Sequence, residues 1–192
     1  MIRFGLAVFA VALVMLSMHS ADARLRGEPV FAQSATDPAL TKRIMNLGPN
    51  VDPNEARLVA QVAFNTGREL AREWRVVWPP GFHNFLVHQG KRPAGLCFQW
   101  AAELLSRLDA LKLKTLQLHW AESFPDTMSE HNVIVVTAPG QPFVNGVLLD
   151  NWRYGGRLAW GIVALDPHYR WTENKPELAR RLSRKPAARE SS

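Results

Sequence analysis

The order of periodicities along the chain predicts an α+β fold: N-terminal helices and a central helix packed on an antiparallel β-sheet. Two observations carry this prediction. Apolar residues recur at helical spacing as far as Leu111. From Thr115 onward the pattern turns to alternation and β-branched runs, separated by turns rich in Pro, Gly and Asn. The chain has 192 residues and 47% hydrophobic content, which suits one domain with a real core and excludes a disordered chain.

The elements are read in order. Arg3, the apolar run Phe4 to Leu16 and the small residues Ala21-Asp22-Ala23 form a signal peptide over residues 1–23, so the mature chain is expected to begin at Arg24. The run is too short for a comfortable membrane span. The mature protein is expected to be soluble and periplasmic or secreted. Residues 24–50 form a lead-in whose short helix starts at Asp37-Pro38 and ends at about Leu47, before Gly48-Pro49-Asn50. Asp52, Pro53 and Glu55 read as the N-cap, first turn and capping-box acid of a long helix. Leu58, Val62, Leu70 and Trp74 give that helix its apolar stripe. Gly67 weakens its middle, and Pro79-Pro80-Gly81 stops it.

Phe82 to Ala94 lacks a clear period and reads as a loop holding His83, Asn84, His88 and Gln89. After Gly95 the central helix runs from Leu96 to Leu111, with Ala101, Leu104, Leu105 and Leu108 on one face. Strands follow at Thr115–Ala121, His131–Ala138, within Phe143–Trp152 and at Leu158–Leu165. The expected domain therefore spans residues 51–171, and residues 172–192 form a basic C-terminal tail with a weak helix around Pro176 to Leu182.

Net charge is +6, and the tail carries most of the excess. On an exported chain such a tail stays solvated or touches an anionic envelope surface; nucleic acid is not an expected partner. His83 and His88 stand five apart with no second pair to complete a zinc spacing, so no metal is expected. The chain has neither a glycine-rich phosphate loop with lysine nor a dinucleotide fingerprint, so no cofactor is expected.

Cys97 is the only cysteine, in a chain expected to meet an oxidising compartment. It opens the central helix, where unpaired N–H groups and the helix dipole favour a thiolate. Phe98 and Trp100 beside it are placed to wall a pocket. Cys97 also shares the apolar face of Ala101 and Leu104, which is the packing alternative. His131 stands at the mouth of a strand and suits a general base; an ordinary surface histidine is the alternative. Asp150 closes Val147-Leu148-Leu149 and suits the acid that orients an imidazole; a strand-end turn residue is the alternative. Asn151 would take that role if the register slipped by one. The Pro139-Gly140-Gln141-Pro142 turn lies near the midpoint between His131 and Asp150, which brings them together on neighbouring antiparallel strands. An oxyanion site would use the Cys97 backbone N–H with a donor from the preceding loop, Gln89 ahead of Asn84 and His83; a solvated loop amide is the alternative.

Three stretches, Gly95-Leu96-Cys97-Phe98-Gln99-Trp100-Ala101, His131-Asn132-Val133-Ile134-Val135 and Leu148-Leu149-Asp150-Asn151, together resemble the transglutaminase-like branch of the papain-like cysteine hydrolases. The nearest group is the bacterial transglutaminase-like cysteine proteinases, and the resemblance covers about Leu58 to Trp171. It implies a papain-like fold with Cys97 as nucleophile, His131 as base and Asp150 as orienter. It further implies cleavage or transfer of an amide bond in a protein or peptide of the cell envelope. The bacterial group usually has acidic residues directly after its cysteine. Phe98 and Gln99 stand there in this chain, so calcium dependence does not carry over. The rival reading is a non-catalytic module in which Trp100, Trp120 and Trp152 line a peptide or glycan groove. An enzyme needs Cys97 accessible and paired with His131, whereas a binder leaves the thiol buried and inert.

Overall fold

A computed structural model describes residues 30–32 and 34–183. The signal peptide expected over residues 1–23 lies outside the described residues. The elements in chain order are β1 (Val30–Phe31), α1 (Pro38–Met45), α2 (Pro53–Glu73), α3 (Pro80–His88), α4 (Cys97–Asp109), β2 (Gln117–Ser123), β3 (His131–Thr137), β4 (Val147–Asp150), β5 (Ala159–Ile162), β6 (Thr172–Glu173) and α5 (Lys175–Ser183). The strands form one sheet in the order β1-β5-β4-β3-β2-β6, and every described pairing is antiparallel. Among the described residues no helix is long and apolar enough to cross a membrane.

Side chains cap the first two helices as their sequences require. Asp37 accepts from the N–H groups of Ala39 and Leu40, and Asp52 from those of Asn54 and Glu55. Each such cap contributes about 1 kcal/mol. The capping box at α2 is only half made. Glu55 turns away from the Asp52 N–H and accepts from both N–H groups and the hydroxyl of the Lys114-Thr115 pair. The Asp52 N–H goes instead to the Thr115 hydroxyl. This exchange ties the start of α2 to the chain entering β2, and no local pattern announces it.

Helix α3 occupies a stretch that lacks periodicity. Helix α2 ends at Glu73, ahead of Arg75 at φ 51°, so the expected stop at Pro79-Pro80 lies beyond its end; those prolines instead form the N-cap and first turn of a new helix, where proline at N1 sacrifices no hydrogen bond. The C-terminal basic stretch also joins the fold. Thr172 and Glu173 pair with β2, and α5 packs beside them.

The sheet has two different faces. Trp120, Ile134, Val136, Val147 and Leu149 meet the helix layer, where Leu40, Ile44, Val59, Leu104, Leu105 and Leu108 are buried. Each fully buried leucine there contributes about 2 kcal/mol. Helix α4 packs chiefly on β3, which is buried along its whole length. The opposite face carries a smaller cluster of Ala121, Val133, Val135, Leu148, Val163 and Trp171. A third cluster, Leu70, Trp74 and Trp100, joins α2 to the first turns of α4.

Candidate active site

Three elements deliver the predicted residues. Cys97 is the first residue of α4, where the backbone N–H has no intrahelical partner. Gly95 turns the chain into this helix at φ +133°, and a Cβ there would overlap the His83 ring. The Gln99 side chain accepts from the N–H groups of Gly95 and Leu96, which closes the helix start. His131 opens β3 and Asp150 closes β4. The register pairs Ile134 with Leu149. Side chains alternate along a strand, so His131 and Asp150 fall on the same face, that of the smaller cluster.

His131 and Asp150 meet there. The imidazole Nε2 donates to Asp150 Oδ2 at 2.7 Å, and both side chains are 1% exposed. Asp150 Oδ1 accepts from the N–H groups of Trp152 and Arg153, so the same carboxylate caps the turn that follows β4. Both roles weighed for Asp150 in the sequence, turn residue and imidazole partner, are filled at once. Asn151 is buried but serves elsewhere, donating to the Ala63 carbonyl on α2. It fits because position 67 is glycine; a Cβ there would overlap the Asn151 amide. The cost of Gly67 to helix propensity therefore makes room for this cross-link.

The other ring nitrogen of His131, Nδ1, is buried and has no hydrogen-bond partner. Burial opposes the charged ring, but the Asp150 charge and hydrogen bond outweigh it, with Cys97 adding in the same direction, and raise the His131 pKa to about 9. Burial likewise opposes the Asp150 carboxylate. His131 and then Arg153 outweigh it and lower its pKa to about 2. The imidazole is thus charged at neutral pH and rests on a fixed anion.

Residues outside the three motifs complete the site. Arg153 Nε donates to Asp150 Oδ2 at 2.9 Å, and its terminal nitrogens reach both oxygens of Asp166. Asp166 also accepts from the Trp171 indole and the His168 N–H. Burial opposes the charge on Asp166, and Arg153 more than compensates, so its pKa is lowered. The result is an alternating buried row: His131 positive, Asp150 negative, Arg153 positive, Asp166 negative. Three rings, Trp152, Tyr169 and Trp171, stand 4.6, 4.8 and 5.3 Å from the His131 ring and keep water from it. Sequence reasoning missed Arg153 and Asp166 because a pair thirteen residues apart across a turn has no local signature.

Cys97 is 8% exposed. Its thiol donates to the Glu130 carbonyl at 3.4 Å, and Asn132 Nδ2 lies 3.7 Å from the sulfur. Both contacts come from the residues flanking His131. Phe124 and Asp126, in the loop between β2 and β3 that carries Glu130, have φ of 52° and 60°, a strained conformation for residues with a side chain.

The remaining candidates lie apart from the sulfur. Gln89 caps the C-terminus of α3, and its side chain is exposed with no hydrogen bond among the described residues. His83 is buried; it accepts from the Val77 N–H and donates to the Ala94 carbonyl, which anchors the approach to Gly95. Trp100 is buried against Trp74, its indole donating to the Gly95 carbonyl. Trp120 is buried as well, donating to Asn132 Oδ1. Of the three tryptophans named for a groove, only Trp152 is partly open, and its indole donates to Asn84. Among the described residues no group of histidine, cysteine and acidic side chains could hold a metal ion. Surface cavities of about 420, 680 and 630 Å³ are lined by residues other than Cys97, His131 and Asp150. Comparison with known proteins returns no matching family model, no matching curated protein and no matching solved structure.

Proposed function

We propose that this protein is an exported thiol hydrolase of papain-like, transglutaminase-like architecture that cleaves or transfers an amide bond in a protein or peptide. One observation carries the reading. The His131 ring is held by Asp150 through Nε2, while its other nitrogen is unpaired and its positive charge is favoured by Cys97. A structural histidine in a dry interior would have both nitrogens satisfied. This one leaves Nδ1 without a partner of ordinary hydrogen-bond geometry, and Cys97 favours the ring's charge, as the thiolate partner of an imidazolium does.

The chemistry then runs as follows. In the reactive ion pair the Cys97 proton is held on His131 Nδ1, which makes the ring the cation, and the thiolate sulfur attacks the substrate carbonyl carbon. A C–S bond forms and the carbonyl π pair moves to oxygen, against the Cys97 backbone N–H. As the C–N bond breaks, His131 returns the proton to the leaving amine. Water, or an acceptor amine, then attacks the thioester with His131 as base and releases the thiol. Asp150 holds the ring and its charge throughout.

The test is the rate of iodoacetamide alkylation of Cys97 against pH, in the wild type and in His131→Ala. Fast alkylation near neutral pH that disappears in the variant supports the reading. Identical profiles, or reaction only after unfolding, would overturn it and leave a non-catalytic fold.

A further inference from the structure

We infer that Asn132 is a catalytic residue that donates a hydrogen bond to the Cys97 sulfur and steadies it as a thiolate. This rests on the nucleophile reading of Cys97. The inference begins with Trp120, whose indole N–H is a donor and nothing else. It meets the Asn132 amide at 2.8 Å, so the amide atom facing it is the acceptor Oδ1. The NH2 group must then point the opposite way. There one proton goes to Glu130 Oε1 at 2.8 Å and the other faces Cys97 Sγ at 3.7 Å. Asn132 is buried, so this orientation is not averaged by water.

Asn132 and His131 are neighbours on one strand, and their side chains leave opposite faces of the sheet. His131 lies with Asp150 in the smaller cluster, while Asn132 lies under the helix layer beside Trp120. Cys97 sits at the strand's entry and is approached by both. The Glu130 carbonyl accepts the proton of the neutral thiol, but it repels a thiolate. Once the proton has left, the Asn132 N–H is the neutral donor on that side of the sulfur. It complements the imidazolium charge of His131 and stays in place without reorganisation.

The test compares alkylation of Cys97 by iodoacetamide, an uncharged probe, in wild type, Asn132→Ala and Asn132→Asp across pH. Asn132→Asp keeps the Trp120 acceptor and the side-chain shape, but it replaces the donor by a carboxylate oxygen facing Cys97 and Glu130. Near-ultraviolet circular dichroism and thermal melts report on the fold. The expected result is a loss of about tenfold in rate near pH 6 for folded Asn132→Ala, as for one hydrogen bond to a charged group, and a loss at least as large for Asn132→Asp, whose carboxylate also opposes the thiolate. The rates should converge with wild type at alkaline pH, where the thiol ionises without help. A profile of Asn132→Asp that superimposes on wild type overturns the inference. Should Asn132→Asp unfold, the same comparison is read from Asn132→Ala. The two failures are distinguishable: His131→Ala matching wild type sinks the nucleophile reading, whereas an Asn132 variant matching wild type sinks only this role.

Discussion

The sheet carries two histidine–carboxylate pairs of equal length and opposite character. His131 meets Asp150 at 2.7 Å, and His119 meets Glu173 at 2.7 Å. The second ring nitrogen of His119 is taken by the Thr137 hydroxyl at 2.8 Å, so the ring is fully used as a bolt holding β6 against β2 and β3. The second ring nitrogen of His131 is empty and beside a thiol. His119 and Glu173 keep some solvent contact, whereas His131 and Asp150 have almost none and gain Arg153 behind them. A hydrogen-bonded histidine pair is therefore not in itself a sign of chemistry. The unpaired Nδ1, the dry surroundings and the neighbouring thiol separate the two.

The sharpest way to break this contrast is to remove each ring in turn. His131→Ala should slow alkylation of Cys97 near pH 6 by about 100-fold or more, in the range of lost general-base assistance. His119→Ala should leave that rate unchanged. Next is the support behind the first pair. Arg153→Met leaves Asp166 buried without its cation and Asp150 with His131 alone. Removing one partner of such a buried pair costs about 3 to 5 kcal/mol, to be read from urea unfolding at neutral pH.

The pH dependence of stability sharpens the comparison further. The folded pKa of His131 is raised from 6.5 to about 9. Its contribution is thus fully present below pH 6.5 and is lost as pH rises through about 9. Asp150 is lowered from 3.8 to about 2, so its contribution holds above 3.8 and is lost as pH falls through about 2. Unfolding free energy of the wild type should therefore fall between neutral pH and about pH 9, and His131→Ala should lack that alkaline fall. The smallest effect is expected at the other pair. Glu173→Gln should change stability by about 1 kcal/mol or less, because solvent screens a partly exposed pair. It should not alter the reactivity of Cys97.

The elements that were legible in advance are those with a strong local cause. Helices α1, α2 and α4 follow from their caps and apolar stripes, and β3 follows from a run of β-branched residues. Helix α3 is hidden in the sequence because Pro-Pro-Gly reads as a stop, whereas here it starts a helix after α2 has already ended at Glu73. Trp100 was read as a wall of the site, yet its large ring is worth more packed on Trp74 than in water. Of the two readings of Gln89, oxyanion donor and solvated amide, the structure agrees with the second, because the turn of α3 carries the side chain to the surface.

The pairing of His131 with Asp150 lay in the sequence, because strand alternation and a central Pro-Gly turn dictate which side chains share a face. The opening of α4 at Cys97 lay there as well, since helix starts are local. Only the tertiary structure decided which way each polar group turns. Glu55 caps β2's approach rather than its own helix, Asn151 reaches Ala63, and Trp120 sets the orientation of Asn132. The physical reason is the same in each case. A polar group withdrawn wholly or partly from water takes the partner that folding brings to it, and those partners lie 60, 88 and 12 residues away along the chain.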